Sequence, residues 1–578
     1  MPNNDIIIDM PRQGIAPSAM TGFADVRNLD LFSVPGVARL NRKFSVASGS
    51  TSAIYNWLVR NPLTSTEFFA LSTTGTVYTS TDGTGAVWSL LGGNTVSAAS
   101  GNGLAIWKDY LFVARDASLD TFGPLSGVAV TVTAATPCVI SSTGHGLQAS
   151  TPIIFSATTI PAGITAGTVY YVSDINLLTD SFQIKDAIGG SQINTTTTGS
   201  GVKYRTWYAP AGGGVTTFKT ITSDNLWHPM IISKLNSALY GGEANQVFKL
   251  AEATAPFNPI TAASYTWSAT VLATALQADY RIKCLAEYGT NLMLGTWKGT
   301  AVTDFPVADI FPLGINETAV GNAISLNDFG IHALLTYGSS LIIWAGVNGR
   351  IYRSDGVNFS QVVRLPMDVT NTNYVIFKPG GVCIHKERIF FGTGNVSSGL
   401  PGQGVYSLQL SPGGNILILE HTISQETDGT SEQTVVGCLL PLTGQRIIAG
   451  WVSGSNKGID TTSDSYIYVT AYTAYFDTPL FQVGTPKGKR ILTELDILLA
   501  KTLTTTQGIR LLYRTSLSGT FATLGTFTHD VAGTTILGAE FSHFTTANIP
   551  NLETVQFRVA LNSGNSETTP WLRQVSFK

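Results

Sequence analysis

Seven times along this chain a short apolar run ends in a small residue, usually glycine. The spacing of those residues constrains the fold more tightly than any other feature. The runs are Phe68-Phe69-Ala70, Leu111-Phe112-Val113-Ala114, Leu239-Tyr240-Gly241, Leu292-Met293-Leu294-Gly295, Ile342-Ile343-Trp344-Ala345-Gly346, Ile389-Phe390-Phe391-Gly392 and Ile447-Ile448-Ala449-Gly450. Their small residues stand at 70, 114, 241, 295, 346, 392 and 450, in steps of 44, 127, 54, 51, 46 and 58. One step is more than twice the others. Inside it, from Val128 to Lys203, lies a segment with its own β character, and removing those 76 residues brings the step to 51. A repeat near 50 residues, interrupted once by an inserted unit, accounts for the whole pattern.

A period of that length in an all-β chain is the size of a propeller blade, four short antiparallel strands with their turns. Most copies continue into a second strand, as in Gly75-Thr76-Val77-Tyr78, Gln246-Val247-Phe248, Gly349-Arg350-Ile351-Tyr352 and Gly404-Val405-Tyr406. One four-stranded blade cannot bury both faces alone, so neighbours must stack and cover one another. Glycine at the end of an inner strand lets backbones approach near a crowded axis. The sequence therefore predicts an all-β fold: a β-propeller of about seven blades, with six the alternative count, over residues 52–127 and 204–473. An inserted small β domain is expected at 128–203, an N-terminal arm at 1–51 and a C-terminal β-sandwich at 474–578. A chain of β-sandwiches is the competing arrangement. The sandwich strands are expected at Ile491 to Leu499, Ile509 to Tyr513, Phe521 to Phe527, Val555 to Ala560 and Trp571 to Phe577.

Composition narrows the function. Of 578 residues 12% are charged, about half the usual quarter, and the net charge is -3. That balance excludes a disordered acidic or basic tail and argues against nucleic-acid binding as the main role. The longest apolar stretch, Ala333 to Val347, is interrupted at Gly338-Ser339-Ser340 and falls short of a membrane span. The start, with Asp5, Asp9 and Pro11, lacks the basic and apolar regions of a signal peptide, so a protein made in the cytosol is expected. Cys138, Cys284, Cys383 and Cys438 form no CxxC pair and are read as small buried side chains.

Candidate chemistry is sparse. The seven histidines, His145, His228, His332, His385, His421, His529 and His543, form no HExxH and no metal-ligand spacing. No GxSxG elbow is present. Gly484-Thr485-Pro486-Lys487-Gly488-Lys489-Arg490 is one residue short of a phosphate loop and is read as a basic turn that touches a partner. Trp227, Trp297 and Trp451 are read as packing between blades rather than as sugar platforms. Ser80-Thr81-Asp82-Gly83-Thr84-Gly85-Ala86-Val87-Trp88 resembles the Asp-box turn of sialidase-type propellers, and Ser354-Asp355-Gly356-Val357-Asn358-Phe359 is a degenerate second copy. In that family the box marks the fold and lies away from catalysis. No catalytic, cofactor-binding or metal site is assigned, and no cofactor is expected.

Several segments together resemble virion proteins of tailed bacteriophages. Gly144-His145-Gly146-Leu147, Pro161-Ala162-Gly163, Thr168-Val169-Tyr170-Tyr171-Val172 and Asp180-Ser181-Phe182-Gln183-Ile184 are similar to a small β module of such proteins. Gly14-Ile15-Ala16-Pro17-Ser18, Arg27-Asn28-Leu29-Asp30 and Pro35-Gly36-Val37 resemble the start of propeller-bodied tail proteins. Ile509 to Arg514 with Gly519-Thr520-Phe521 resembles their C-terminal sandwiches. The resemblance implies a non-enzymatic tail component of the nozzle or tail-tip type in the virion, assembling as a homo-oligomeric ring or with tube, adaptor or fibre proteins. Double-stranded DNA would pass nearby without sequence-specific binding. Scarce charge suits large buried subunit contacts. The alternatives are a peripheral adhesin that recognises host glycans and, third, a glycan-cleaving propeller enzyme.

Overall fold

The structure is a computed structural model, and it describes residues 6–9, 24–33, 37–92, 100–115, 119–208, 227–250, 276–314, 319–365, 373–396, 403–410, 415–424, 433–444, 446–463, 474–485, 488–501, 503–528, 541–564 and 567–577. The arm segment 14–18, the Pro35-Gly36 pair and His529 lie outside these residues.

The seven apolar runs are the second strands of seven antiparallel sheets. Blade 1 is Tyr55–Arg60, Phe68–Ser72, Val77–Ser80 and Ser89–Leu90. Blade 2 is Gly101–Trp107, Tyr110–Arg115, Leu119–Ala129 and Lys203–Tyr208. Blade 3 has Trp227–Ile232, Leu239–Glu243 and Gln246–Leu250 among the described residues. Blade 4 is Tyr280–Tyr288, Asn291–Lys298, Ala308–Gly314 and Ile324–Leu326. Blade 5 is Ile331–Tyr337, Ser340–Ala345, Arg350–Ser354 and Phe359–Arg364. Blade 6 is Val382–His385, Arg388–Gly392, Val405–Gln409 and Ile416–His421. Blade 7 is Thr434–Pro441, Ile447–Ser453 and Asn456–Thr462, with Phe44–Val46 as its outer strand. The first strand of each blade packs against the first strand of the next, and Thr434–Pro441 packs back against Tyr55–Arg60. That closed circuit of inner strands makes the fold a seven-bladed β-propeller.

The recurring glycine has a steric cause. A Cβ on Gly295 would lie 2.7 Å from Ile331 Cγ2 in the next blade. On Gly392 it would lie 2.5 Å from Val436 Cγ1, again one blade on. On Gly450 it would meet Tyr55 Cβ at 2.9 Å and Cys438 Sγ at 2.5 Å. Each glycine is therefore the point where a second strand abuts the inner strand of the following blade. Between these points the packing is apolar, with Trp344, Phe377 and Phe391 joining blades 5 and 6 and Phe69, Phe122 and Trp207 joining blades 1 and 2.

The insertion leaves blade 2 between its third and fourth strands. Its strands Pro152–Ser156, Val169–Val172 and Ile184–Lys185 extend the blade's sheet outward from Lys203–Tyr208. Thr131–Val132, Ile140–Ser141 and Ser181–Phe182 form a second small sheet. Val132, Ile140, Ile153, Phe155, Val172, Phe182 and Ile184 fill the core between them. His145 explains the Gly-His-Gly-Leu turn. Its Nδ1 accepts from the Leu147 N–H at 3.0 Å, so Nε2–H donates to the Leu178 carbonyl at 2.8 Å, pinning two turns together. Gly144 and Gly146 flank it at φ +60° and +59°, where a Cβ is disfavoured.

The C-terminal unit packs two sheets face to face. One holds Arg490–Leu499, Phe541–Leu552 and Leu572–Phe577, and the other Tyr475–Asp477, Gln507–Arg514, Ala522–Thr528 and Thr554–Ser563. Phe557 and Phe577 stack across the gap with centroids 3.5 Å apart. The segment expected to be an arm over 1–51 is instead divided among the sheets. Ile6–Asp9 pairs with Leu572–Phe577. Asp25–Arg27 pairs with Tyr475–Asp477 on one side and meets blade 6 at Arg27–Leu419 on the other. Phe44–Val46 completes blade 7. Propeller and sandwich thus share one continuous sheet.

Replacing Gly450 by Val should destabilise the protein by roughly 1–3 kcal/mol through overpacking, whereas Gly338→Asn, in open space at φ +57°, should be near neutral; denaturant midpoints check both. Phe44→Ala should cost about 3–5 kcal/mol, and amide exchange should accelerate first in Asn456–Thr462, the strand that Phe44–Val46 covers.

Candidate functional site

In a four-stranded antiparallel blade the turns joining strands 1–2 and 3–4 lie on one face of the ring. The turns joining strands 2–3 and the links between blades lie on the other. Both Asp-box segments fall in 3–4 turns, of blades 1 and 5. Asp82 accepts backbone hydrogen bonds from Thr84 (2.8 Å), Gly85 (2.6 Å), Ala86 (2.9 Å) and Val87 (2.8 Å), and one from Ser80 Oγ (3.1 Å). Burial opposes its charge, yet these donors hold the carboxyl below its ordinary value. Trp88 donates to the Gly85 carbonyl at 2.8 Å and is buried under the turn. Asp355 repeats the arrangement with Asn358 and Val357. Both carboxylates are consumed by their own turns, so the boxes are structural.

The other singled-out residues disperse. His332 and His421 are buried between elements, and burial drives their pKa values down to about 4 and about 3, so both are neutral. His421 stacks on Phe44 of the closing strand, centroids 4.4 Å apart. His385 lies at the blade 6 hairpin, edge-on to Phe390. Trp451 is buried in the blade 6–7 core, and Trp297 donates to the Ile331 carbonyl at 2.9 Å. Cys284 and Cys438 are buried beneath Gly295 and Gly450. In the Gly484 turn, Thr485 bridges Gly488, and Lys489 reaches Glu553 at 3.5 Å. Among the described residues no group of three His, Cys, Asp or Glu could hold a metal ion, and no helix is long and apolar enough to cross a membrane.

Buried charges are turned inward in pairs. Arg115 pairs with Asp120 in blade 2. Arg558 grips Asp477 at 2.7 and 2.8 Å. The densest cluster sits where the N-terminal segment crosses blade 6. There Arg39 binds Asp30 at 2.7 Å, Arg388 pairs with Glu420, Ser407 donates to Glu420 at 2.6 Å, and Asn41 donates to the other Glu420 oxygen. Arg388 also covers the Phe32 ring at 4.2 Å. Asp30, Asn41, Arg388 and Glu420, with His385, Lys386 and His421, line a small cleft on the hairpin face. Every carboxylate in it already holds a partner from the N-terminal segment or blade 6, so the cluster is a clasp. Sequence reasoning missed it because its members come from positions 30–41 and 385–421 and share no local motif.

The hairpin face exposes apolar side chains among polar and charged ones such as Lys234, Lys386 and Glu387. Leu63, Val87, Leu235, Val357, Phe359 and Ile384 stand out on it, Val357 at 78% exposure. Phe305, between the second and third strands of blade 4, is exposed on the opposite face, and Leu90 is exposed on the outer strand of blade 1. The insertion leaves from the hairpin face as well, with Ile175, Leu178 and Ile188 exposed.

No family model matches the chain, and no curated protein matches it. Solved structures give propeller likenesses at low identity. YCF48 bound to D1 peptide is similar at 10% identity and TM-score 0.38, covering 76% of this chain and 97% of that one. The β-propeller domain of Cps50 (Swd1) from Myceliophteria thermophila is similar at 10% and 0.34, covering 72% and 98%. The Dos1 propeller is similar at 11% and 0.36, covering 72% and 95%. The fold assignment rests on the strand pairing described above.

Asp460, fully buried in blade 7, accepts from the Ser424 N–H (2.7 Å) and Oγ (2.6 Å). Burial pushes its pKa up to about 6, and the Ser424 bonds limit the rise. A carboxyl with a folded value above its unfolded one favours folding when protonated, so its contribution is present at low pH and lost as pH rises through about 6. Asp460→Asn should therefore be more stable than wild type at pH 7.5, and the gap in Tm should close as pH falls through 6.

Proposed function

We propose that this chain is a structural subunit of the tail of a tailed bacteriophage, of the nozzle or tail-tip kind, working through assembly and without catalysis of its own. The observation that carries this reading is the division of its surface. Described charged clusters are spent on internal clasps, while one face of a rigid ring exposes apolar side chains from blades 1, 3, 5 and 6. Exposed apolar residues gathered on one face mark a contact surface, and interface cores are poor in charge. The continuous sheet from blade 6 through Asp25–Arg27 to the sandwich makes propeller and sandwich one stiff body, as a load-bearing component requires. The resemblance of the insertion to a phage virion module points the same way.

On this reading the chain assembles in the host cytoplasm and resides in the virion tail. Its partners are copies of itself or tube, adaptor and fibre proteins, with DNA passing nearby and no base read. Imaging of intact particles with a label on this chain should place it on the tail; a label on the head, or none, sinks the proposal. Leu63→Asp with Val357→Asp should weaken assembly at least tenfold in sedimentation while leaving monomer unfolding free energy within about 0.5 kcal/mol of wild type. Binding of the isolated protein to host cells, with intact assembly in the double variant, would instead favour the glycan-recognising adhesin.

A further inference from the structure

Side-chain alternation sets the outer surface of the sandwich apart. One of its sheets runs from Asp25–Arg27 through Tyr475–Asp477, Thr554–Ser563 and Gln507–Arg514 to Ala522–Thr528. One face of that sheet is core, built from Val26, Phe476, Phe557, Val559, Ile509 and Leu511. Residues one position along each strand point the other way. Across the strands Arg27 stands opposite Tyr475, Asp477 opposite Arg558, Arg558 opposite Leu512, and Gln556 opposite Arg514. The outward face therefore gathers charged and aromatic side chains from four strands.

These side chains stack. The Arg27 guanidinium lies 5.4 Å from the Tyr475 ring centroid. Arg558 lies 3.7 Å from Tyr475 and 4.2 Å from Phe521, and Arg514 lies 4.5 Å from Phe521. Cations and rings thus alternate across the face in the order Arg27, Tyr475, Arg558, Phe521, Arg514. The carboxylates are not shared evenly. Asp25 pairs with Arg27 at 2.9 Å, and Asp477 accepts two hydrogen bonds from Arg558, at 2.7 and 2.8 Å. Asp477 acts on Arg514 from farther away, and among the described residues no carboxylate stands at ion-pair distance from Arg514. Arg514 is nevertheless held in place. Its Nε donates to Gln556 Oε1 at 2.6 Å, and the Gln556 amide donates to the Thr478 carbonyl at 2.7 Å. Its Nη1 makes a long contact of 3.5 Å to the Gly519 carbonyl. Arg514 is partly exposed, and the turn that follows it carries Leu517 at 63% exposure.

We propose that the Arg514 end of this stack is a docking site for an acidic segment of a partner protein, with an Asp or Glu carboxylate on the guanidinium and an apolar neighbour on Leu517. Arg514 brings a charge that no carboxylate of the face answers at contact distance, and a guanidinium takes a carboxylate in a two-pronged geometry. Stacking on Phe521 and the bond to Gln556 have already removed much of the rotamer freedom that a surface arginine loses on binding. Leu517 selects a protein partner: a sugar-phosphate backbone offers its charge to Arg514 but no apolar side chain to Leu517. This surface belongs to the sandwich, and the inference does not rest on the tail assignment.

Fluorescence anisotropy of a labelled hexapeptide of alternating aspartate and leucine, titrated with the full chain, tests it. Wild type should bind the peptide saturably with a Kd below about 1 mM, and more weakly as salt rises. The Leu517 methyl resonances of wild type should shift on titration, a readout that does not depend on any variant folding. Arg514→Met, which keeps the stem over Phe521, and Arg514→Gln should each bind at least tenfold more weakly. Arg514→Lys keeps the charge without the fork and should fall between them and wild type. Lys234→Met, exposed on the hairpin face, should bind as wild type does, and a peptide with lysine in place of aspartate should not bind. No saturable binding, undiminished binding in both Arg514→Met and Arg514→Gln, or unmoved Leu517 methyls would overturn the proposal. So would tighter binding of a short DNA duplex than of the peptide, lost in the same variants, since that assigns the site to nucleic acid.

Discussion

The structure depends on one strand of three residues. Without Phe44–Val46, the seventh blade would end in the bare edge of Asn456–Thr462, and the ring would be held shut chiefly by packing of Thr434–Pro441 and Ile447–Ser453 against Tyr55–Arg60. A ring closed by a strand from the far end of the chain gains the loop-closure advantage of a cross-link, because first and last blades can no longer part without breaking sheet hydrogen bonds. The closing strand is short, so its hold is reinforced nearby: Phe44 stacks on His421, and the segment just before it is clasped to blade 6 through Asp30, Asn41, Arg388 and Glu420.

The same N-terminal segment fixes how the sandwich is carried. Ile6–Asp9 belongs to one of its sheets, and Asp25–Arg27 joins the other to blade 6. Closure of the ring and attachment of the sandwich are therefore one event, made by one stretch of chain. This organisation leaves apolar side chains of the hairpin face exposed.

Much of the ring was legible in sequence for a specific reason. Second strands are covered on both faces by neighbouring blades, so they read as unbroken apolar runs, and they end in a small residue because a Cβ there would strike the next blade, as at Gly295, Gly392 and Gly450. Outer strands were not legible: Ser89–Leu90 and Phe359–Arg364 are largely exposed and carry no apolar signature. The Asp-boxes were legible because an aspartate that caps its own turn is a local device, complete within five residues. The clasp at Glu420 was not, since it joins residues of the N-terminal segment to residues of blade 6 that lie far along the chain.

The sequence by itself determined the repeat, its interruption and the all-β character, since each follows from local burial and from turn residues a few positions apart. Only the tertiary structure decided that the repeat closes into a ring, and that residues 44–46 belong to a blade whose other strands lie some four hundred residues later. Strand pairing is set by backbone hydrogen bonds, which leave no mark on three residues as ordinary as Phe-Ser-Val. The pairing of scarce charges is settled at the same level: Asp30 with Arg39, Arg115 with Asp120 and Arg388 with Glu420 meet only in the folded chain.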